Sequence, residues 1–277
     1  MRVLLALFWL LSALPGPPVM AASAAEVEVD VELMLAVDVS RSMTRRELEI
    51  QRRGYAEALL SREVLDAIRY GPRGQVAVTY VEWAGSLSQR IIVGWTLLRD
   101  RADAEAFAAR LAAHFDSNLR RTSISGAIDY ASGLFDGNGF AGLTQVIDIS
   151  GDGPNNQGRP VTAARRDALV RGISINGLPL MTREGMGSQW HIEDLDRYYR
   201  DCVIGGPGAF VIPVLEWQHF PTAVKRKLVL ELVRRPPAAA PPAAPDPAPV
   251  IPAAAEAPYD CLIGEKIWDD MWGDDWN

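Results

Sequence analysis

The sequence predicts a doubly wound α/β domain: a mainly parallel six-stranded sheet with one antiparallel edge strand and helices on both faces. Three observations predict it. Short apolar runs recur between residues 31 and 234, amphipathic stretches with helical spacing alternate with them, and two of the runs are joined by nothing longer than a Gly/Ser turn. The alternation implies parallel strands with helical crossovers, and the short turn implies a hairpin that supplies the antiparallel edge.

Composition sets the bounds. With 277 residues, of which 48% are hydrophobic, the chain can bury a full core. A formal net charge of -7 gives no general attraction to phosphate backbones or anionic lipid, so nucleic acid is not an expected partner. The basic clusters "RRELEIQRR" and "ARRDALVR" read as solvated helix faces.

Arg2, the apolar run "VLLALFWLLSAL", a Pro/Gly break and the small residues "AASAA" mark residues 1–24 as a Sec-type secretion signal with cleavage after Ala24. No cysteine stands at a lipidation position, and no later segment approaches the roughly 20 apolar residues of a membrane helix. The mature chain is expected in the periplasm or outside the cell, with no transmembrane segment. "VELMLAVD" (31–38) is a buried strand, followed by helical spacing from Thr44 to Leu60. "QVAVTYVEWA" and "QRIIVGWTL" form the hairpin; residues 101–115 and 122–135 are helices, and "TQVIDIS" (144–150) is a strand. Helix over 160–171, the strand "ISINGLPL", helix over 192–202, the strand "AFVIPV" and a last helix over 216–234 complete a domain spanning 25–235. Residues 236–258 are a Pro/Ala-rich, extended linker. Residues 259–277 are an acidic tail in which Trp268, Trp272 and Trp276 recur every four residues, so a short helix would gather them on one face. Such a helix needs a surface, either its own domain or a partner.

Cys202 and Cys261 both lie in the mature chain, where an oxidising compartment allows a bridge that would tether the tail; two separate thiols are the other reading.

The stretch "LMLAVDVSRSM" carries the chemistry. In an open parallel sheet, ligands bind beyond the carboxyl ends of the strands where the strand order reverses. Asp38, Ser40 and Ser42 stand at such an end, and if the loop curls they offer one carboxylate and two hydroxyls to a hard cation. Thr122, at the start of a predicted helix where a hydroxyl can cap or coordinate, and Asp152, just past another strand in "DISGDGPNN", complete a set of two acids and three hydroxyls from three loops. Taken singly, each is a capped turn or a helix cap. Asp148, inside the buried strand "VIDIS", and Glu82 in "YVEW" each require a hydrogen-bonded partner.

The D-x-S-x-S at Asp38 to Ser42, the later Thr122 and the strand-end Asp152 before Gly153 resemble the metal-ion-dependent adhesion site (MIDAS) of von Willebrand factor type A domains, over about residues 30–234. The whole chain is similar to a bacterial secreted branch of that family catalogued as a domain of unknown function. The resemblance implies a six-stranded doubly wound domain that binds a divalent cation, Mg2+ or Mn2+, and through it an acidic residue of a protein partner. It implies that Ser40, Ser42 and Thr122 coordinate the ion and that Asp38 and Asp152 act directly or through water. The sequence departs from the pattern at "LRRTS", where glycines are usual.

Two other readings stand beside it. "GDGPNN" also resembles the fourth motif of haloacid-dehalogenase-type phosphatases, with Asp38 as nucleophile. Against it, Ser40 stands where the general acid belongs, Asn156 replaces the last acid, and no lysine precedes Lys225. A serine hydrolase lacks G-x-S-x-G, and His114, His191 and His219 stand in no relation to a candidate serine. The remaining alternative is a scaffold with a vestigial metal site, or one occupied by a tail carboxylate such as Asp270 or Asp274, through intramolecular docking of the tail.

Overall fold

The computed structural model describes residues 25–112, 119–182, 191–233 and 258–272. The expected secretion signal, nearly all of the linker, His114, Asp274 and Trp276 lie outside these residues, as does the side chain of Trp272.

The sheet has the order β3-β2-β1-β4-β5, built from β1 (Val27–Asp38), β2 (Val76–Trp83), β3 (Gln89–Leu98), β4 (Phe140–Gly151) and β5 (Ile173–Pro179). β1 runs parallel to β2 and β4, β4 parallel to β5, and β3 antiparallel to β2 at the edge. After β2 and β3 the chain returns to the other side of β1, so the order reverses between β1 and β4. The carboxyl ends of these two strands, Asp38 and Gly151, flank that switch point.

β1 is buried on both faces, and its period of two divides it between two cores. Val31, Leu33, Leu35 and Val37 pack with α1 (Arg45–Leu59), α2 (Arg62–Arg69), α3 (Arg101–Ala112) and α7 (Phe220–Leu232). Met34 and Ala36 pack on the opposite face with α4 (Ile124–Gly133), α5 (Val161–Val170) and α6 (Leu195–Tyr198), which runs on into a π-helical turn, Tyr199–Val203.

The fold class is the one expected, but the sheet has five strands rather than six. Segment 210–214 lies along β5 through Ile212 N–H to Gly177 O (3.0 Å) and Val214 N–H to Pro179 O (2.9 Å), with isolated bridges only at Val211 and Val214. Ile212 and Val214 donate towards β5, so Pro213, between them, faces the open edge, where its missing N–H prevents a further strand from pairing. α2 was not expected; its eight residues carry only Val64, Ala67 and Ile68 as a buried stripe, too short a period to stand out from α1. β4 begins at Phe140, ahead of the predicted start, where "FAGL" pairs with β1 despite its glycine.

Glu82 and Asp148, the two strand acids that required partners, both have cations. Glu82 takes Arg52 Nε (2.7 Å) and Arg90 Nη2 (3.0 Å). Asp148 pairs with Lys227, whose Nζ also reaches Glu231 (2.6 Å), and Asn176 Nδ2 donates to Glu231 (2.9 Å). One lysine thus serves two carboxylates in a region closed to water, and burial, against the pull of Lys227, pushes Asp148 up to about 7.

Removing the cation leaves two buried carboxylates, so Lys227→Ala is expected to cost about 3 to 5 kcal/mol in urea unfolding; a loss under about 1 kcal/mol would contradict the arrangement. Because the Asp148 carboxyl holds its proton more tightly folded than unfolded, its contribution to stability falls as pH rises from about 4 towards 7. The difference in stability between wild type and Asp148→Asn should therefore shift against wild type over that range, as measured by denaturation at several pH values.

Candidate metal centre

The loop after β1 curls as the three oxygens require. Met43 N–H donates to Ser40 O (3.0 Å), closing a tight turn, and Val39 N–H is held by Trp83 O at the end of β2 (2.9 Å). Thr44 then caps α1 in a reciprocal box with Glu47, so neither Ser40 nor Ser42 is needed for the helix start.

The curl brings four of the five predicted residues into one chain of hydrogen bonds. Ser40 N–H donates to Asp38 Oδ1 (2.7 Å), the Ser40 and Ser42 hydroxyls lie 2.9 Å apart, and Ser42 donates to Asp152 Oδ1 (2.9 Å). Thr122 joins through its backbone: its N–H donates to Asn156 Oδ1 (3.0 Å) and its O accepts from Asn156 N–H (2.9 Å). The expected helix cap is Ser123 rather than Thr122, for the Ser123 hydroxyl accepts from Gly126 N–H (3.1 Å). The Thr122 hydroxyl is thereby released from capping.

The donor set fits a hard divalent cation. Among the described residues no three His, Cys, Asp or Glu side chains converge as a nitrogen or thiolate site would require; the set here is two carboxylates and three hydroxyls, all oxygen. Asp38 Oδ2 is buried and has no hydrogen-bond partner among the described residues. The space around it is kept by Gly151, where a Cβ would come within 3.0 Å of that oxygen and 2.9 Å of the Tyr199 hydroxyl. Burial, and then the nearby Asp152 carboxylate, raise Asp38 well above the usual carboxylate range, while hydrogen bonds from Ser40 oppose the shift. Two acids are thus held close together, and among the described residues neither has a lysine or arginine partner. His191, for which the local sequence carries no signal, has Nε2 at 3.8 Å from Asp152 Oδ2 and is raised by that pairing. It lines a cleft beside Asp152 together with Arg46, Met181, Glu216 and Trp217.

A family model described as "Protein of unknown function (DUF1194)" matches residues 28–236. The chain belongs to the DUF1194 family. No curated protein matches it. Among solved structures, the DUF1194 chain is similar to proximal thread matrix protein 1 from the mussel byssus, at 14% identity and a TM-score of 0.54, covering 76% of this chain and 49% of that one. A second structure of the same byssus protein, at 14% identity and a TM-score of 0.52 with the same coverage, has a zinc-occupied MIDAS motif. The pilus adhesin SpaC from Lactobacillus rhamnosus GG is similar at 11% identity and a TM-score of 0.52, covering 74% of this chain and 31% of that one. The chain therefore spans about half the length of the byssus protein and about a third of the adhesin. The DUF1194 fold is von Willebrand factor A-like.

The tail residues of the DUF1194 chain stand close to the same loops. Cys202 and Cys261 form a disulfide. Helix α8 (Ile263–Trp272) comes next, Glu265 Oε1 accepts from Asn155 Nδ2 (2.7 Å), and the Arg121 guanidinium lies 3.6 Å from the centre of the Trp268 ring. Arg121 itself has φ of 78°, the left-handed backbone that glycine adopts freely and other residues at a cost on the order of 1 kcal/mol. The departure at "LRRTS" therefore replaces the side chain and keeps a glycine-like backbone.

The cap assignment separates two neighbouring hydroxyls. Ser123→Ala should lower stability by about 1 kcal/mol in thermal or urea unfolding, whereas Thr122→Ala should leave stability within about 0.5 kcal/mol of wild type. The reverse ranking would return the cap to Thr122.

Proposed function

We propose that this chain is a secreted, metal-dependent protein-binding module that is not an enzyme. Asp38, Ser40, Ser42, Thr122 and Asp152 hold Mg2+ or Mn2+, and a bound cation supplies an open position for an acidic residue of a protein partner. The single observation that carries the reading is the hydrogen-bond chain from Asp38 through Ser40 and Ser42 to Asp152, at the switch point of the sheet, with Asp38 Oδ2 left open. The zinc-occupied MIDAS motif of the byssus protein supports it by likeness of fold. The residues of this chain do the positioning: the Ser40–Met43 turn aims two hydroxyls, Asn156 ties the Thr122 loop to the Asp152 loop, and Gly151 leaves room over Asp38.

In the same reading residues 1–24 direct export, 25–235 form the binding domain, and 236–258 link it to the tail at 259–277. Export to an oxidising compartment accords with the Cys202–Cys261 bridge, and among the described residues no helix is long and apolar enough to cross a membrane. The phosphatase alternative gains nothing from the lysines, because Lys227 is committed to Asp148 and Glu231 in the core, Lys225 to Glu63 on the surface and Lys266 to Asp260 in the tail.

Calorimetric titration of chelator-stripped protein with MgCl2 and then MnCl2 tests the reading. Saturable uptake is expected, weakened at least about 10-fold by Ser40→Ala/Ser42→Ala with an unchanged circular dichroism spectrum. A folded wild type that takes up neither ion would leave only a scaffold with a vestigial site.

A further inference from the structure

We infer that the rim of the metal centre is a docking surface for acidic peptide segments and that its resident occupant is this chain's own C-terminal tail, latched by Cys202–Cys261. The inference rests on the metal-centre reading only for what lies beneath the tail; the surface itself is defined by side chains outside the proposed ligand set.

The tail is seated by several separate contacts. The disulfide fixes Cys261 to the π-helical turn, and Tyr259 donates to Asp194 (2.8 Å). Gly264 lies against the Asp152–Asn156 loop so closely that a Cβ there would collide with Asn155 O; only glycine permits that approach. Glu265 accepts from Asn155, a fully buried side chain whose Oδ1 also receives Ser125 N–H (2.9 Å). Trp268 then stacks with Arg121. Helix α8 thus touches both loops that carry Asp152 and Thr122.

The strained backbone at Arg121 gives the contact its meaning. A glycine would fit φ of 78° without strain, so the guanidinium is the gain that offsets that cost, and its contact is with the tail. Arg41, on the Asp38 loop, and Arg120, beside Arg121, are exposed and make no ion pair among the described residues, in a chain whose net charge is -7. Four of the nine residues after Trp268 are acids: Asp269 and Asp270 are exposed, and Asp274 and Asp275 lie beyond the described residues. Charge complementarity therefore suits an acidic segment that follows Trp268 to an arginine-bearing rim. A carboxylate-rich partner segment has to displace it.

The test measures binding of a fluorescein-labelled synthetic peptide of residues 259–277, with Cys261 replaced by Ser, to the oxidised full-length mature protein by anisotropy. Wild type should bind it weakly, because the cis tail is present at high effective concentration. Gly264→Ala/Trp268→Ala, which evicts the helix, should bind at least about 10-fold more tightly, and adding Arg120→Ala/Arg121→Gly should remove that gain. Asp269→Asn/Asp270→Asn/Asp274→Asn/Asp275→Asn, which leaves Gly264 and Trp268 in place, should give a smaller gain of the same sign. No gain in either tail variant overturns the latch, as does a gain accompanied by dimer formation in size-exclusion chromatography, which would assign the surface to the tail of a second copy. A gain that persists in EDTA supports a latch made by the arginine rim and leaves the metal reading to the calorimetry; loss of the latch with calorimetric Mg2+ binding intact overturns the latch and leaves the metal reading standing.

Discussion

Two carboxylates, Asp38 and Asp152, are brought to one point by the parallel pairing of β1 with β4, and neither is given a lysine or arginine partner among the described residues. Much of the surrounding architecture serves that juxtaposition. β1 is buried along both faces and so cannot slide in register without turning its apolar residues out of both cores. Its last residue is therefore fixed in depth. The turn at Ser40–Met43, held by Trp83 from the neighbouring strand, directs the chain back over the sheet end, and Gly151 withholds the one atom that would fill the space above Asp38.

Asp148 and Asp152 are four residues apart on the same stretch of chain, yet the fold treats them differently. Asp148, deep in the sheet, has a permanent cation from α7 in Lys227. Asp152, at the sheet end, has hydroxyls and a histidine 3.8 Å away. Buried or half-enclosed carboxylates require compensation, and the fold provides a lysine in one place and, among the described residues, neither lysine nor arginine in the other.

The parts of the structure that were legible in the sequence obey the same physics. The alternation of apolar runs with helical stretches indicated the class and the antiparallel edge, because burial on both faces leaves an unbroken apolar signature. Asp38, Ser40, Ser42 and Asp152 could be chosen because strand ends are predictable from where such runs stop. The cap of α4 was assigned one residue early, since Thr122 and Ser123 are chemically alike and only the backbone decides between them. The sequence predicts a sixth strand because "AFVIPV" is apolar enough, whereas in the fold the segment touches β5 only at isolated bridges. His191 and the tail contacts to Asn155 and Arg121 depend on distant segments meeting, and no local pattern carries that; the arginine in place of a glycine at Arg121 was the one available sign.

The central claim is that these loops hold a divalent cation, and anomalous diffraction from crystals of the full mature chain grown with MnCl2 tests it most directly. The account predicts a manganese peak bounded by Asp38, Ser40, Ser42, Thr122 and Asp152. A map with the hydrogen-bond chain from Asp38 to Asp152 intact and no peak at that position would contradict it.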